Sequence, residues 1–312
     1  MLAVWLPLLL PFLAGPVGRR LSAALPPRQA VRLLALTAVG LAATSTCALA
    51  LLVVPGATHL HDVAVLAHLL TPLTSGPPGA TVAVTVVAAA SLVWCVTLLV
   101  RGVVRRRSRL RQARDLAARA DGELVVLPEE FPDAYALPGR PGRIVVTTGM
   151  LRALTAPERE ALLAHERAHL DDRHHLFTAV VDLAGLCHPA LRALREPLAY
   201  AVERSADESA AAAVGDRRLT ARAIGRAALS ARATSLAPPA RPGPALAATA
   251  GPVPQRVAAL LGGYAPDRTV RPLTRRVAAA ALLACVVVSA GASLHAAADL
   301  HTGIEIAQGE RP

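Results

Sequence analysis

The sequence predicts a mainly α membrane protein: four transmembrane helices, with a cytoplasmic α+β domain between the third and the fourth. Three observations predict it. The chain is 54% hydrophobic yet carries a formal charge of +11. A soluble domain this basic is rarely this apolar, so the charge is expected in loops beside membrane spans. The apolar residues gather in runs of spanning length, and Arg residues cluster at the ends of those runs. Between the third and fourth runs lies His165-Glu166-Arg167-Ala168-His169, an H-E-x-x-H pattern in a stretch of helical periodicity.

Composition excludes some classes. All 33 basic residues are Arg and only 3% of residues are aromatic, so no basic patch interleaved with aromatics points to nucleic acid. Cys47, Cys95, Cys187 and Cys285 all sit in apolar stretches without C-x-x-C spacing. They read as small apolar residues in helices rather than as disulfides or metal ligands.

The first apolar run, about residues 2–18, is followed by Arg19 and Arg20 with no positive charge before it. That order favours an uncleaved span with its N-terminus outside over a signal peptide. A short loop with Arg28 and Arg32 leads to a second span, about 33–54. Residues 55–80 contain no Arg, which places them outside; His59, His61 and His68 there read as parts of a solvated loop rather than as ligands. The third span, about 81–100, runs into Arg101, Arg105, Arg106, Arg107, Arg109, Arg111 and Arg114. This basic segment, 101–121, is expected to hold its end of the span in the cytoplasm.

Residues 122–264 form the expected catalytic domain. Leu124–Leu127 and Ile144–Thr147 are β-branched runs bounded by turn-formers and read as strands, with Ala134-Tyr135-Ala136-Leu137 between them. The edge of such a sheet can hold an extended peptide. Thr155-Ala156-Pro157-Glu158 has the form of a capping box that starts the helix bearing His165 and His169. The stretch from Leu176 to Tyr200 is too interrupted for a span and reads as helices packed on that helix or lying against the membrane face. Residues 233–254, rich in Ala and Pro, read as a mobile loop. A last span, about 277–297, follows Arg268, Arg271, Arg275 and Arg276, and 298–312 is expected to be a short extracytoplasmic tail. With this count all three Arg clusters fall on one side of the bilayer.

On a helix, residues i and i+4 lie about 40° apart around the axis, so His165 and His169 project from one face and can share a metal ion. Glu166 leaves the axis about 100° from His165, where a carboxylate can act as general base on water. A zinc peptidase needs a third protein ligand and one open position. Glu203, in the helical run Glu203-Arg204-Ser205-Ala206-Asp207, is the candidate, and Asp207 one turn on can take the N–H of a ligand imidazole. His174 and His175 fall on neighbouring faces if the same helix continues, as polar residues near its end. Tyr200 and Arg204 are candidates for stabilising an oxyanion.

Taken together, these motifs resemble the membrane metallopeptidases of the beta-lactam-sensor type, BlaR and MecR, and are similar to the wider gluzincin group with the HtpX and Ste-type CAAX proteases. The residues that carry the resemblance are Ala134-Tyr135-Ala136-Leu137-Pro138-Gly139, Ile144-Val145-Val146-Thr147-Thr148-Gly149, Leu162-Leu163-Ala164-His165-Glu166-Arg167-Ala168-His169, His188-Pro189, Glu203-Arg204-Ser205-Ala206-Asp207 and Gln255-Arg256-Val257. The resemblance implies one Zn2+, with His165, His169 and Glu203 as ligands, Glu166 as base and acid, and Asp207 holding a ligand imidazole. It implies endoproteolysis of a protein substrate, a transcriptional repressor in the sensor relatives, at the cytoplasmic face of the plasma membrane. The expected partners are a protein or peptide substrate and the lipid bilayer, with no direct nucleic acid. About 15 residues follow the last span and carry no S-x-x-K, so no beta-lactam-binding domain is expected. Two alternatives share these residues: an HtpX-like housekeeping membrane protease, and a non-catalytic membrane signalling scaffold.

Overall fold

The computed structural model describes residues 2–58, 77–118, 122–233, 246–247, 252–262 and 272–308. The first apolar run is helical but broken. Leu2–Trp5 is a 3-10 turn, followed by α1 (Leu6–Leu9) and α2 (Pro11–Ala24). Pro11, the first residue of α2, accounts for the break at Leu10, because it removes a helical N–H and crowds the preceding turn, and Pro7 sits in the first turn of α1; Pro16 is accommodated inside α2. Gly15 and Gly18 bring α2 against residues 189–194: a Cβ on Gly15 would lie 2.6 Å from the Ala193 Cβ.

Next come α3 (Pro27–Ala57) and α4 (Pro78–Ala118). At 1.5 Å per residue α4 is about 60 Å long, roughly twice the hydrocarbon thickness of a bilayer. Its apolar and basic halves, expected as a span and a separate segment, therefore form one continuous helix. Val86, Val87, Val93 and Trp94 on it are exposed. The histidines at 59, 61 and 68 lie outside the described residues.

The sheet comprises β1 (Leu124–Leu127), β2 (Ala134–Leu137), β3 (Arg143–Thr147) and the two-residue β4 (Leu246–Ala247), in the order β1-β3-β2-β4. β1 runs parallel to β3, with Val125 opposite Val145; β2 is antiparallel to β3, with Tyr135 opposite Val145. The segment Ala134–Leu137, placed between two strands by sequence, is itself a central strand. All four of its residues are buried, so it lacks the alternation that marks a half-exposed strand. β4, from the expected mobile loop, pairs antiparallel with its other edge. The rest of that loop, 234–245 and 248–251, lies outside the described residues.

The helices that follow are α5 (Thr148–Ala153), α6 (Ala156–Asp171), α7 (His174–Cys187), α8 (Arg195–Val214), α9 (Arg217–Ala233), α10 (Val253–Leu261) and α11 (Pro272–Ala307), with a 3-10 turn at Pro189–Leu194 between α7 and α8. α11 runs on through most of the expected tail; His301 and Glu305, 3.3 Å apart one turn from each other, support its final turns.

Two cores position the site. Leu21, Leu34, Leu41, Val181, Leu191, Leu194, Leu198 and Leu282 join α2, α3 and α11 to α7, α8 and the turn between them. Ala134, Val146, Met150, Leu162 and Ala227 join the sheet to α5, α6 and α9. Among the described residues three helices are long and apolar enough to cross a membrane, Pro27–Ala57, Gly79–Asp115 and Arg276–Ala307, and they suggest a membrane-associated protein. The four cysteines are free.

Candidate metal centre

Helix α6 begins as its cap residues dictate. Glu158 accepts hydrogen bonds from the Thr155 backbone N–H (2.9 Å) and hydroxyl (2.8 Å), and Arg226 from α9 donates to the same oxygen at 2.9 Å. Burial pushes the Glu158 carboxyl up, but the bonds from Thr155 and Arg226 outweigh it and hold it below the usual range. The start of α6 is thus tied to both its own cap and a neighbouring helix.

Two turns later, His165 and His169 point one nitrogen each at a common point. Their Nε2 atoms are 3.2 Å apart, and Glu203 on α8 meets them with Oε2 at 3.6 Å and Oε1 at 3.7 Å. One ligand atom from each of the three residues lies within 4.8 Å of the others, and all three side chains are buried. Ligands about 2.0–2.2 Å from a tetrahedral zinc stand roughly 3.3–3.5 Å from one another, so the donor set fits that ion in kind and spacing. Glu166 is buried in the same helix, next to His165.

Each imidazole is held from its far side. His165 Nδ1 lies 3.0 Å from Asp207 Oδ1. His169 Nδ1 lies 2.9 Å from His174 Nδ1. His174 gets there because α6 does not continue through it. The helix ends at Asp171, and Arg173 takes a left-handed conformation at φ 50° that turns the chain into α7. This corrects the expectation of one continuing helix and makes His174 a buried neighbour of His169. His174 Nε2 in turn faces Asp172 at 3.9 Å.

The charges separate the histidines. Burial opposes a proton on His165, but Asp207 and Glu203 outweigh it and raise its pKa to about 9. Burial and the neighbouring His165, His174 and Arg256 hold His169 well below its ordinary value. Burial pushes His174 down to about 4, so its neutral ring can accept a hydrogen bond from His169.

One further member of this cluster lies within Gln255-Arg256-Val257, which carried part of the resemblance but was given no role. Arg256, on α10, is completely buried. Its Nη1 lies 2.9 Å from Glu203 Oε2, while Nη2 and Nε donate to the two oxygens of Asp207 at 2.6 and 2.8 Å. Burial would lower its pKa, but Glu203, Asp207 and Glu166 more than compensate and raise it. A signal was present. Val253, Val257 and Leu260 form the apolar stripe of α10, and Arg256 falls on that stripe, where a charge demands a buried partner.

The structure places Tyr200 and Arg204 differently from the metal-facing residues. The Arg204 guanidinium sits 5.7 Å from the Tyr200 ring centroid, and its Nη1 donates to Ser22 O on α2 at 3.4 Å. The expected peptide-binding edge is also modified, since β2 is already paired with Leu246–Ala247.

Residues 104–192 match the model of Peptidase family M48. The match includes His165, Glu166, His169 and His174 and ends before Glu203, Asp207 and Arg256. No curated protein and no solved structure matches the chain. Over that segment the chain is similar to this peptidase family, and with the three-residue cluster the match supports a metallopeptidase.

Proposed function

We propose that the chain is a zinc-dependent integral-membrane endopeptidase that cleaves a protein substrate at the cytoplasmic face of the plasma membrane. The observation that carries this reading is the convergence of His165, His169 and Glu203 from two helices, with Glu166 one residue from the first of them. Zinc bound there would act as a Lewis acid on the scissile carbonyl and lower the pKa of water. Glu166 takes the proton of the attacking water and passes it to the leaving amine. Asp207 and His174 fix the tautomers of His165 and His169 so that each Nε2 is free as a donor. Arg256 neutralises and aligns the two carboxylates of α8. A peptide added on the β2 side of the sheet has to displace Leu246–Ala247 or pair outside it, whereas β1 forms the opposite edge.

The Arg clusters beside the apolar helices support a cytoplasmic centre. The resemblance to the beta-lactam sensors supports a signalling role, with a transcriptional repressor as the substrate class. The test is zinc content and peptide cleavage measured together. Glu166→Gln is expected to keep zinc and lose cleavage, whereas His169→Ala loses both. Full cleavage by Glu166→Gln would overturn the mechanism. Zinc content below stoichiometric and insensitive to His169→Ala would favour the scaffold reading.

A further inference from the structure

Behind His174, on the side away from His169, lies a cleft of about 320 Å³ including its open mouth. The first two turns of α3 contribute Arg28 and Arg32, the α6–α7 turn contributes Asp172, and α8 contributes Ser205. The Ser205 hydroxyl is buried and has no hydrogen-bond partner. Arg28 bridges to Asp172 at 3.4 Å and donates to Ser209 at 3.3 Å. Among the described residues Arg32 has no ion-pair partner. Two guanidinium groups against one carboxylate leave a single net positive charge near the positive end of the α3 dipole, although Pro27 has no N–H and the Gln29 and Ala30 N–H groups are taken by Pro26 O.

The position narrows the ligand. α3 is one of the helices apolar enough to cross a membrane, and Arg28 and Arg32 sit at its end, where a spanning helix meets lipid phosphates. Phe177 gives the cleft an apolar wall. A phosphodiester carries one negative charge and adjoins an apolar body, which matches both features. Free phosphate carries more charge and has no apolar part.

We propose that this cleft is a headgroup site for an anionic phospholipid, with Arg28, Arg32 and the Ser205 hydroxyl as the donors to its phosphate. The site rests on the reading of α3 as a membrane span. Because His174 lines the cleft and also holds His169, a bound lipid stiffens the support of the metal centre. The ligand is thus a bilayer component that reports whether the catalytic helices sit against the membrane.

The test uses the full-length, zinc-loaded protein in neutral detergent, titrated with phosphatidylglycerol, phosphatidylcholine or inorganic phosphate, with lipid retention read by native mass spectrometry. Phosphatidylglycerol is expected to be retained and phosphatidylcholine not. Arg28→Gln and Arg32→Gln should each weaken retention about fivefold, the worth of one arginine near an anionic lipid. Both residues are exposed, so the variants should fold, which an unchanged Tm verifies. Ser205→Ala should also weaken retention. Arg107→Gln with Arg111→Gln, on the basic end of α4, should leave it unchanged. Equal retention by the Arg28/Arg32 double variant, no preference over phosphatidylcholine, or displacement of the lipid by equimolar phosphate would each overturn the proposal. None of these readouts depends on peptide cleavage, so failure of the lipid site is distinguishable from failure of the peptidase reading.

Discussion

Arg256 Nη2 lies 2.6 Å from Asp207 Oδ1, and Nε of the same guanidinium lies 2.8 Å from Oδ2, a two-pronged contact in a fully buried setting. Asp207 spends its remaining approach on His165. The relationship makes Arg256 a positioning residue for both α8 carboxylates. Replacing it by Leu leaves two buried carboxylates without their cation, and such a break costs about 3–5 kcal/mol. Arg256→Leu is expected to lower Tm and zinc affinity together. Arg256→Lys should recover little, since an ammonium group lacks the planar fork. Thermal unfolding and chelator competition check both; a Lys variant equal to wild type would contradict the account.

His174 is expected to matter for metal retention without touching metal. Loss of a partner that orients a ligand imidazole typically lowers metal affinity by about 10- to 100-fold. His174→Ala should show that loss in competition with a chromogenic chelator. His174→Asn, whose side-chain oxygen can still accept from His169, should regain part of it.

Zinc binding should release a proton. Without metal, His165 holds a proton between its ordinary value of 6.5 and about 9, because Asp207 and Glu203 outweigh its burial. Stability from that contact is fully present below the ordinary value and is lost as pH rises through about 9. The metal needs the neutral ring, so apparent zinc affinity should climb about tenfold per pH unit across this window and flatten above it. Calorimetric titration in buffers of differing ionisation enthalpy measures the proton count, and Asp207→Asn should shift the window downward.

Glu158 gives the opposite sign. Its carboxyl is held below the ordinary value of 4.5 by Thr155 and Arg226 despite burial. Its contribution is complete above 4.5 and disappears as pH falls through the lowered value. Glu158→Gln should cost about 1–3 kcal/mol at neutral pH, the worth of charge-assisted bonds to a buried group, and the gap to wild type should narrow in acid. Unfolding curves at pH 7 and pH 3 test it; a constant gap would refute the assignment.

Gly149 should resist any side chain. A Cβ there would stand 2.0 Å from the backbone oxygen of Glu130, next to the Gly149 N–H bond to Glu129 O. Gly149→Ala is expected to destabilise by about 1–3 kcal/mol through forced backbone movement, seen as a lower Tm.

Much of this architecture was legible in the chain. The cap at Thr155, the strands at 124–127 and 144–147 and the H-E-x-x-H face follow from local spacing and appear as geometry; Glu203, with Asp207 one turn on, was favoured by the resemblance and lies beside the two histidines. What escaped depends on packing or on single dihedrals. Nothing marks Arg173 as left-handed, so the reversal that brings His174 to His169 has no local signature. Ala134–Leu137 lacks alternation because neighbours cover both of its faces and edges. Arg256 carried part of the resemblance, but it had no role until its place on the apolar stripe of α10 was matched with two carboxylates on another helix. The first apolar run was read by length alone, whereas its prolines divide it.

The cluster draws on residues 165 to 256, and its balancing cation comes last in the chain. During synthesis the helices bearing the histidines and Glu203 emerge before α10 does. Until Arg256 docks, Glu203 and Asp207 have His165 beside them but lack the guanidinium that bridges both. The order of translation thus puts the cation that balances the two α8 carboxylates last, so their full set of contacts forms only once α10 has been made.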